Sequence, residues 1–506
     1  MTSIRPGTTR QATVTIAAAG LTSAMVYWLV FVRPFPLAGY YDTIPPVDYA
    51  KLTGHSVRGV VSFVIAIAVL FGLYFFVLRT LQTASAGNST PDKPSTYRRG
   101  AWGIVLGGTA LLGAILVPAY PTAAIDVLIY SVLTRGWALY GLNPLATAPQ
   151  SLPGDPWIGL AAEWANVASP YGSAWEGVSL LASRLVGGDF LAHALALKAI
   201  AALSHLGCAC LVALILLRLR PDKALAGTAA FGWNPMALLE SAGNGHNDTL
   251  MVLFLLLAVY LCLDDRHRWL VVPALTLSVL IKLVTVMVFP FFLLYLARRQ
   301  TTWPRRLAVT AANLALAAGL GAALMAPVWP GWDQWAVHDL TGGAGKSPFA
   351  LLVLILQPWL GTNVAFDVSR YLLGGIFLLI CLRLAWRALT GPLTLTDVVI
   401  TPAFGVFYWY LMLPNQQFHA WYLLWPLAMA VLLLPSPLFG RIAVFGLTAW
   451  LSIPLYETLR VWWSDTLTPL VIHAIATPFV FGLPLLVSWL RQEKSANEQN
   501  SLSPPP

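Results

Sequence analysis

The stretch 118-PAYPTAAIDVLIYSVLTRGWALYG-141 decides how this chain is read. It follows a long apolar run and places an acid, Asp126, where a membrane helix emerges from lipid. From Ile125 to Tyr140, apolar residues recur at Ile125, Ile129, Val132, Leu133, Trp137 and Tyr140, which is the spacing of one greasy helical face. With Asp126, Ser131 and Arg135 on the remainder, the pattern predicts an interfacial helix lying on a membrane. An acid at such a border can remove a proton from a hydroxyl within hydrogen-bond reach. Equally, an Asp at a helix start accepts bonds from free N–H groups and suits the helix dipole.

The flanking chain explains why a membrane is invoked. Hydrophobic residues make up 58% of the 506 and charged residues 10%, with a mean hydropathy of +0.71. A soluble domain carries about 25% charged residues, so this chain cannot cover itself in water. The apolar runs are long and continuous, which predicts helices that satisfy their own backbone in lipid. The expected class is an all-α polytopic membrane protein of about 12 to 14 spans, each near the usual 20 residues. A net charge of +9 does not mark nucleic-acid binding, because Lys and Arg sit in short loops as topology determinants do. Cys208, Cys210, Cys262 and Cys381 all lie in apolar runs and read as packed thiols.

Arg5 and Arg10 argue for a cytoplasmic N-terminus. The first run, Ala12 to Val32, is long for a signal-peptide core and lacks a small-residue cleavage site, so it reads as a span. Residues 79–99 read as a cytoplasmic loop and 119–190 as a large outer loop, with further helices near Trp157 to Asn166 and Ala174 to Leu185. The run Trp269 to Leu296 satisfies the positive-inside rule only as two short helices turning near Lys282. Phe349 to Leu360 is too short for a span and reads as re-entrant or interfacial. One membrane domain covers 1–490, and 491–506 reads as a disordered polar tail.

By this topology the polar groups gather on the outer side. In WNPMALLESAGNGHND (233–248), Asn234, Glu240, Asn244, His246, Asn247 and Asp248 fall within 15 residues. Polar groups in membrane segments are costly and usually functional, and a sugar needs many donors and acceptors. A turn at Gly243 and Gly245 and a helix cap at Asp248 are the plain alternatives. A divalent metal is conceivable on composition, but the spacing matches no ligand motif. Lys282 and Arg135 are candidate cations for a lipid phosphate; Lys346 reads as loop solvation. Gln417, His419 and Trp421 lie in PNQQFHAWY (414–422), either an aromatic belt or a sugar-stacking surface. No Walker loop or dinucleotide fingerprint is present.

The order of Asp126, TRGWALYGLNPL (134–145), SPYGSAW (169–175), WNPMALLESAGNGHND and HAWYLLWPL (419–427) resembles the GT-C glycosyltransferases. Within them it is similar to the bacterial polyprenol-phosphomannose-dependent alpha-1,6-mannosyltransferase-like group, over residues 100–435. The resemblance implies an inverting transferase that takes a sugar, mannose, from a polyprenyl-phosphate donor at the outer leaflet of the cell membrane to an envelope glycan or glycolipid. It implies Asp126 as general base. Tyr130, Arg135, Asn143, Tyr171, Asn234, Glu240, Asn244, His246, Asn247, Asp248, Lys282, Gln417, His419 and Trp421 are the candidate substrate-binding set, with no cofactor. Tyr171-Gly172 matches the family's tyrosine-glycine loop, while Ser173-Ala174 departs from its Pro-Leu continuation, and no second acid follows Asp126. A transporter or flippase of lipid-linked sugars is the alternative; it needs midplane polar groups and internal repeats, and no repeat is visible. A non-catalytic scaffold is a further one.

Overall fold

The computed structural model describes residues 6–86, 96–332, 345–463, 468–487 and 489. Expectations for the tail, for residues 87–95 of the cytoplasmic linker and for the loop between 333 and 344 lie outside the described residues; residues 79–86 and 96–99 of that linker are helical.

The described chain is helical, with two isolated bridges and no strand. Its main helices are α1 (Pro6–Tyr27), α2 (Val57–Ala86), α3 (Thr96–Leu116), α4 (Asp126–Tyr140), α5 (Ser173–Leu185), α6 (Phe190–Leu219), α7 (Ala224–Gly232) and α8 (Asp248–Cys262). They continue with α9 (Val271–Ile281), α10 (Phe289–Arg298), α11 (Trp303–Met325), α12 (Pro348–Leu360), α13 (Thr362–Thr390) and α14 (Thr401–Met412). The last are α15 (Leu424–Leu432), α16 (Pro437–Trp462) and α17 (Pro469–Thr477). Among the described residues, eight helices are long and apolar enough to cross a membrane. A bent pair and four shorter apolar helices complete the apolar set. The protein is therefore an all-α, multi-pass membrane protein. Where continuous crossings are expected from hydropathy, several segments are broken, and the breaks build the site.

Local sequence explains the starts and stops. Four helical segments begin with a capping residue followed by proline: Asn234-Pro235, Ser347-Pro348, Ser436-Pro437 and Thr468-Pro469. In each the side-chain oxygen takes a free N–H, and the proline supplies a preset φ where no N–H is needed. The helix Phe190–Leu219 starts on Asp189, whose carboxylate accepts from Ala192 N at 2.7 Å. The helix Asp126–Tyr140 stops at Gly141, left-handed at φ 66°.

Packing centres on α6, which touches α3, α4, α7, α8 and α15. Small residues allow the close approaches; at Gly232 an added Cβ would stand 2.4 Å from Thr109 Oγ1. The peripheral helices α11 and α13 bury few side chains and present Leu, Ile and Trp outward, as lipid-facing helices do.

Two details correct the sequence expectations, and a third agrees with them. The helix Asp126–Tyr140 is not laid on a surface: Val127 to Thr134 are all buried, packed against α5 and α6. Its polar positions Ser131 and Thr134 are satisfied inside, by Val127 O and by Ser179 Oγ, so the apparent polar face is also covered. The helix expected near Trp157 to Asn166 is a short 3-10 segment, Ile158–Trp164, kinked at Ala162 with φ 48°. The break at Lys282 is present: α9 ends at Ile281 and Lys282 is extended at φ −149°, ψ 122°. All four cysteines are free thiols, two of them buried.

Candidate active site

The loop that delivers Asp126 is clamped by the segment that follows the first span. Leu37 N donates to Pro118 O at 2.8 Å, Tyr120 N to Phe35 O at 2.8 Å, and Tyr49 N to Thr122 O at 2.9 Å. Pro118 and Pro121 keep this run out of a helix, so it crosses the top of α3 in extended form and releases Asp126 as the first residue of α4.

The second wall is the broken pair. Residues 235–243 and α8 meet at 117° around Asn244–Asn247. Non-helical backbone at membrane depth is tolerated only where protein covers it, and here Asn244, His246 and Asn247 are at most 1% exposed. Gly245 sits at φ 80°, where a Cβ would press on Val127 and Lys198, so glycine is required both for the turn and for the close approach.

Between these walls lies a chain of polar contacts. Glu240 Oε2 accepts from Asn244 Nδ2 at 2.8 Å and faces His246 Nδ1 at 3.2 Å. His246 Nδ1 also lies 3.1 Å from Glu240 O. The other ring nitrogen, Nε2, faces Asp126 Oδ2, 3.6 Å away, so a carboxylate stands on either side of the ring and the pair favours the imidazolium. The imidazole is stacked on Trp421 at 4.1 Å, and His419 stacks on the same indole at 4.2 Å. On its other oxygen Asp126 accepts from Tyr171 OH at 3.0 Å and from Tyr130 OH at 3.5 Å. Burial alone would push the Asp126 carboxyl up. The His246 contact and the Lys282 charge more than reverse it, holding it at about 2. Its side chain is 17% exposed, so the carboxylate reaches the edge of the cluster.

Tyr171 arrives by close backbone contact. Gly172 N donates to Ile281 O at 3.2 Å, and a Cβ at Gly172 would stand 2.0 Å from Leu280 O. The missing side chain lets the SPYG turn lie against the α9 break, beside Lys282. Lys282 Nζ binds both Asp248 oxygens, at 2.9 and 2.8 Å. Trp425 Nε1 donates to Asp248 Oδ1 at 2.6 Å. The ammonium also lies over the rings of Tyr422, Trp425 and Tyr171 at 5.0, 5.6 and 5.7 Å. Several buried polar atoms have no hydrogen-bond partner: both side-chain atoms of Asn247, Glu240 Oε1 and His246 Nε2. Orphaned buried groups are expensive, and a cluster of them beside one carboxylate is what a polar ligand would satisfy.

Eleven candidates thus share one neighbourhood: Asp126, Tyr130, Tyr171, Glu240, Asn244, His246, Asn247, Asp248, Lys282, His419 and Trp421. Three do not. Arg135 is two turns below Asp126 and is committed to Asp155, with Nη2 2.9 Å and Nε 3.1 Å from Oδ2. Asn143 donates to Val328 O at 2.9 Å and accepts from Leu145 N, as a turn former. Asn234 caps its helix and donates to Tyr74 OH at 3.3 Å. Each is a polar residue committed to a structural partner, a carboxylate for Arg135 and backbone groups for Asn143 and Asn234. Gln417 lies in a segment paired with Gly345 in an isolated bridge. Sequence reading missed Tyr422 and Trp425 as neighbours of Lys282, although both stand in the quoted aromatic run. It also missed Lys198, whose signal was a lone charge inside an apolar helix. Among the described residues no group of three or more His, Cys, Asp or Glu side chains is arranged to hold a metal.

Comparison with known proteins adds the family. The alpha-(1->6)-mannopyranosyltransferase N-terminal domain family matches residues 37–298, just over half of the 506. The match takes in Asp126, the SPYG turn, the broken pair and Lys282. It ends before the His419–Trp425 wall. No curated protein matches, and no solved structure does. A multi-pass helical chain with this polar cluster inside the matched region belongs to the alpha-(1->6)-mannopyranosyltransferase family and is a membrane mannosyltransferase.

Proposed function

We propose that the protein moves mannose from a polyprenyl-phosphate donor to a hydroxyl of an envelope glycan or glycolipid, on the extracytoplasmic face of the cell membrane. The observation that carries this is the ionised, partly exposed Asp126 at the rim of an otherwise closed polar cluster. In one displacement the acceptor oxygen bonds to the anomeric carbon, and the bond from that carbon to the phosphate oxygen breaks. The lipid phosphate leaves with the electron pair, and the acceptor proton goes to Asp126. Attack opposite the leaving group inverts the anomeric centre.

A carboxyl held at about 2 is a weak resting place for a proton. His246, set between the Asp126 and Glu240 carboxylates at 3.6 and 3.2 Å, is the cation that keeps this base ionised and oriented, and the proton that Asp126 takes leaves from its exposed edge. Tyr130, Tyr171 and Asn244 orient these groups. The unpartnered Asn247 amide is the candidate for sugar hydroxyls, and His419 with Trp421 supplies a stacking wall. Lys282, shared with Asp248, is the candidate cation for the departing phosphate; Arg135, spent on Asp155, is withdrawn from that role. Family membership favours transfer over the transporter alternative.

The test is transfer of labelled mannose from a polyprenyl-phosphate mannose by purified, folded Asp126→Asn and Asp126→Ala. General-base catalysis contributes roughly 10²–10⁴-fold, so turnover should fall by about 10³. Transfer at the parental rate by either variant sinks the base assignment.

A further inference from the structure

We infer that Lys198, in the interior of a membrane helix, is a positioning residue that holds the two halves of the Asp126 site in register. The inference rests on the assignment of Asp126 as base. Lys198 belongs to α6, a candidate span, and its side chain is fully buried. Its Nζ donates to two backbone carbonyls, Ala119 O and Gly243 O. Ala119 lies seven residues before Asp126, in the clamped run below α4. Gly243 lies three residues before His246, at the end of the π-turn Leu239–Gly243.

The two carbonyls close the gap between the walls of the site. Ala119 follows the C-terminal end of α3, and Gly243 ends its own helical turn. Gly243 sits where helix carbonyls run out of N–H partners and carry partial negative charge, and Ala119 lies three residues past Leu116, the last residue of α3. One amino group therefore bonds both segments, which otherwise meet through Ala123 N and Asn244 Oδ1 at 3.5 Å and through the Asp126–His246 contact, and its stem lies against the turn at Gly245. A Cβ added at Gly245 would stand 2.9 Å from Lys198 Cγ and 3.1 Å from Val127 Cβ. Lys198 and Val127 thus both close on Gly245, and Val127 and Gly245 are the chain neighbours of the two partners in the Asp126–His246 contact of 3.6 Å.

A packing role does not call for a charge here. An unbranched apolar side chain would fill the same volume without desolvating an ammonium, and ionisable groups inside membrane segments are retained where they serve function. No carboxylate is bonded to this one; its two partners are neutral carbonyls. What the ammonium adds over a methionine is directional donation to both walls at once. Misplacement of reacting groups by about 1 Å lowers rates about 10²-fold.

The experiment compares Lys198→Met, Lys198→Gln and Asp126→Asn, each assayed per mole of folded, monodisperse protein with polyprenyl-phosphate mannose as donor. Lys198→Met should lower kcat about 10- to 100-fold while donor KM stays within about threefold. Its acid limb should move to higher pH, because a looser His246 contact lets burial raise the Asp126 carboxyl. The groups that face that carboxyl, His246, Tyr130, Tyr171, Lys282 and His419, are unchanged in the variant. Lys198→Gln, which can still donate to two carbonyls, should recover most of the loss although its charge is gone. Parental kcat and acid limb in Lys198→Met overturn the inference, as does Gln no better than Met. Should Lys198→Met fail to yield folded protein, Gly245→Ala pushes the intact lysine aside; a parental kcat there overturns the inference equally. Activity in Asp126→Asn would instead remove the base assignment, which separates the two failures.

Discussion

Replacing His246 by phenylalanine isolates the group that keeps Asp126 ionised. A phenyl ring preserves the stack on Trp421 at 4.1 Å and leaves Glu240 bonded to Asn244, but it has no nitrogen to offer. Burial is the largest influence on Asp126 and raises its carboxyl; in the parent His246 is the main opposing group, ahead of Lys282 and His419. Without His246, the carboxyl returns from about 2 at least to its ordinary 3.8. At 1.36 kcal/mol per pH unit that is about 2.5 kcal/mol of lost preference for the carboxylate. The sign follows from the depressed value. A carboxyl held low is ionised above its pKa, so activity that needs the carboxylate is full at neutral pH and is lost only as pH falls through that value. The parent should hold a flat kcat/KM from neutral down to about pH 4, with its acid limb below the accessible range. His246→Phe should show an acid limb rising into about pH 4–6. Its plateau should also lie roughly 10- to 10²-fold lower, because the group that orients the carboxylate is gone. Initial rates of mannose transfer across a pH series, with stability checked at each point, supply the measurement. A variant with the parental plateau and no acid limb above about pH 4 would refute the electrostatic argument.

Two further outcomes follow from the same geometry. Gly172→Ala would set a Cβ 2.0 Å from Leu280 O, which forces the SPYG turn off the α9 break at a cost of about 1–3 kcal/mol; kcat/KM should fall at least about tenfold, with the thermal midpoint lowered by a few degrees, as read by transfer assay and thermal unfolding. Glu176, buried and bonded to Ser169 Oγ at 2.5 Å, is pushed by burial from 4.5 up to about 7. The native state therefore holds that proton more tightly than the unfolded chain. Its contribution is full below about pH 4.5 and declines as pH rises through about 7, by about 3 kcal/mol in total; Glu176→Gln should flatten that slope in unfolding measured from about pH 5 to 8.

Much of the site was legible because its residues are chemically out of place. An acid at a helix start after an apolar run, and six polar groups in 15 residues of an apolar stretch, stand out against a lipid background. Lys282 stood out for the same reason, and the break there was readable from the arginines that had to stay on one side. The candidates that lie apart from the cluster share one cause. Arg135, Asn143 and Asn234 are polar residues of the right kind in the right region, but each is consumed by a partner that only folding supplies: Asp155, Val328 O and the Ala237 N–H. The helix 126–140 was read as interfacial because periodicity reports faces, not what covers them; its polar face is capped by α5.

By itself the sequence determined the class of the protein, since so few charges over so many apolar residues leave a helical membrane fold as the way to satisfy the backbone. It also determined where helices start and where they must break, through the Asx/Ser/Thr-Pro starts and the glycines at 141, 172 and 245. The tertiary structure alone decided which polar groups meet. Asp126, Glu240 and His246 come together only because α4 and the broken pair are drawn onto one helix, α6, and the lysine joining those walls looks in sequence like a lone charge in a span. Contact across more than a hundred residues depends on packing, which local pattern does not encode.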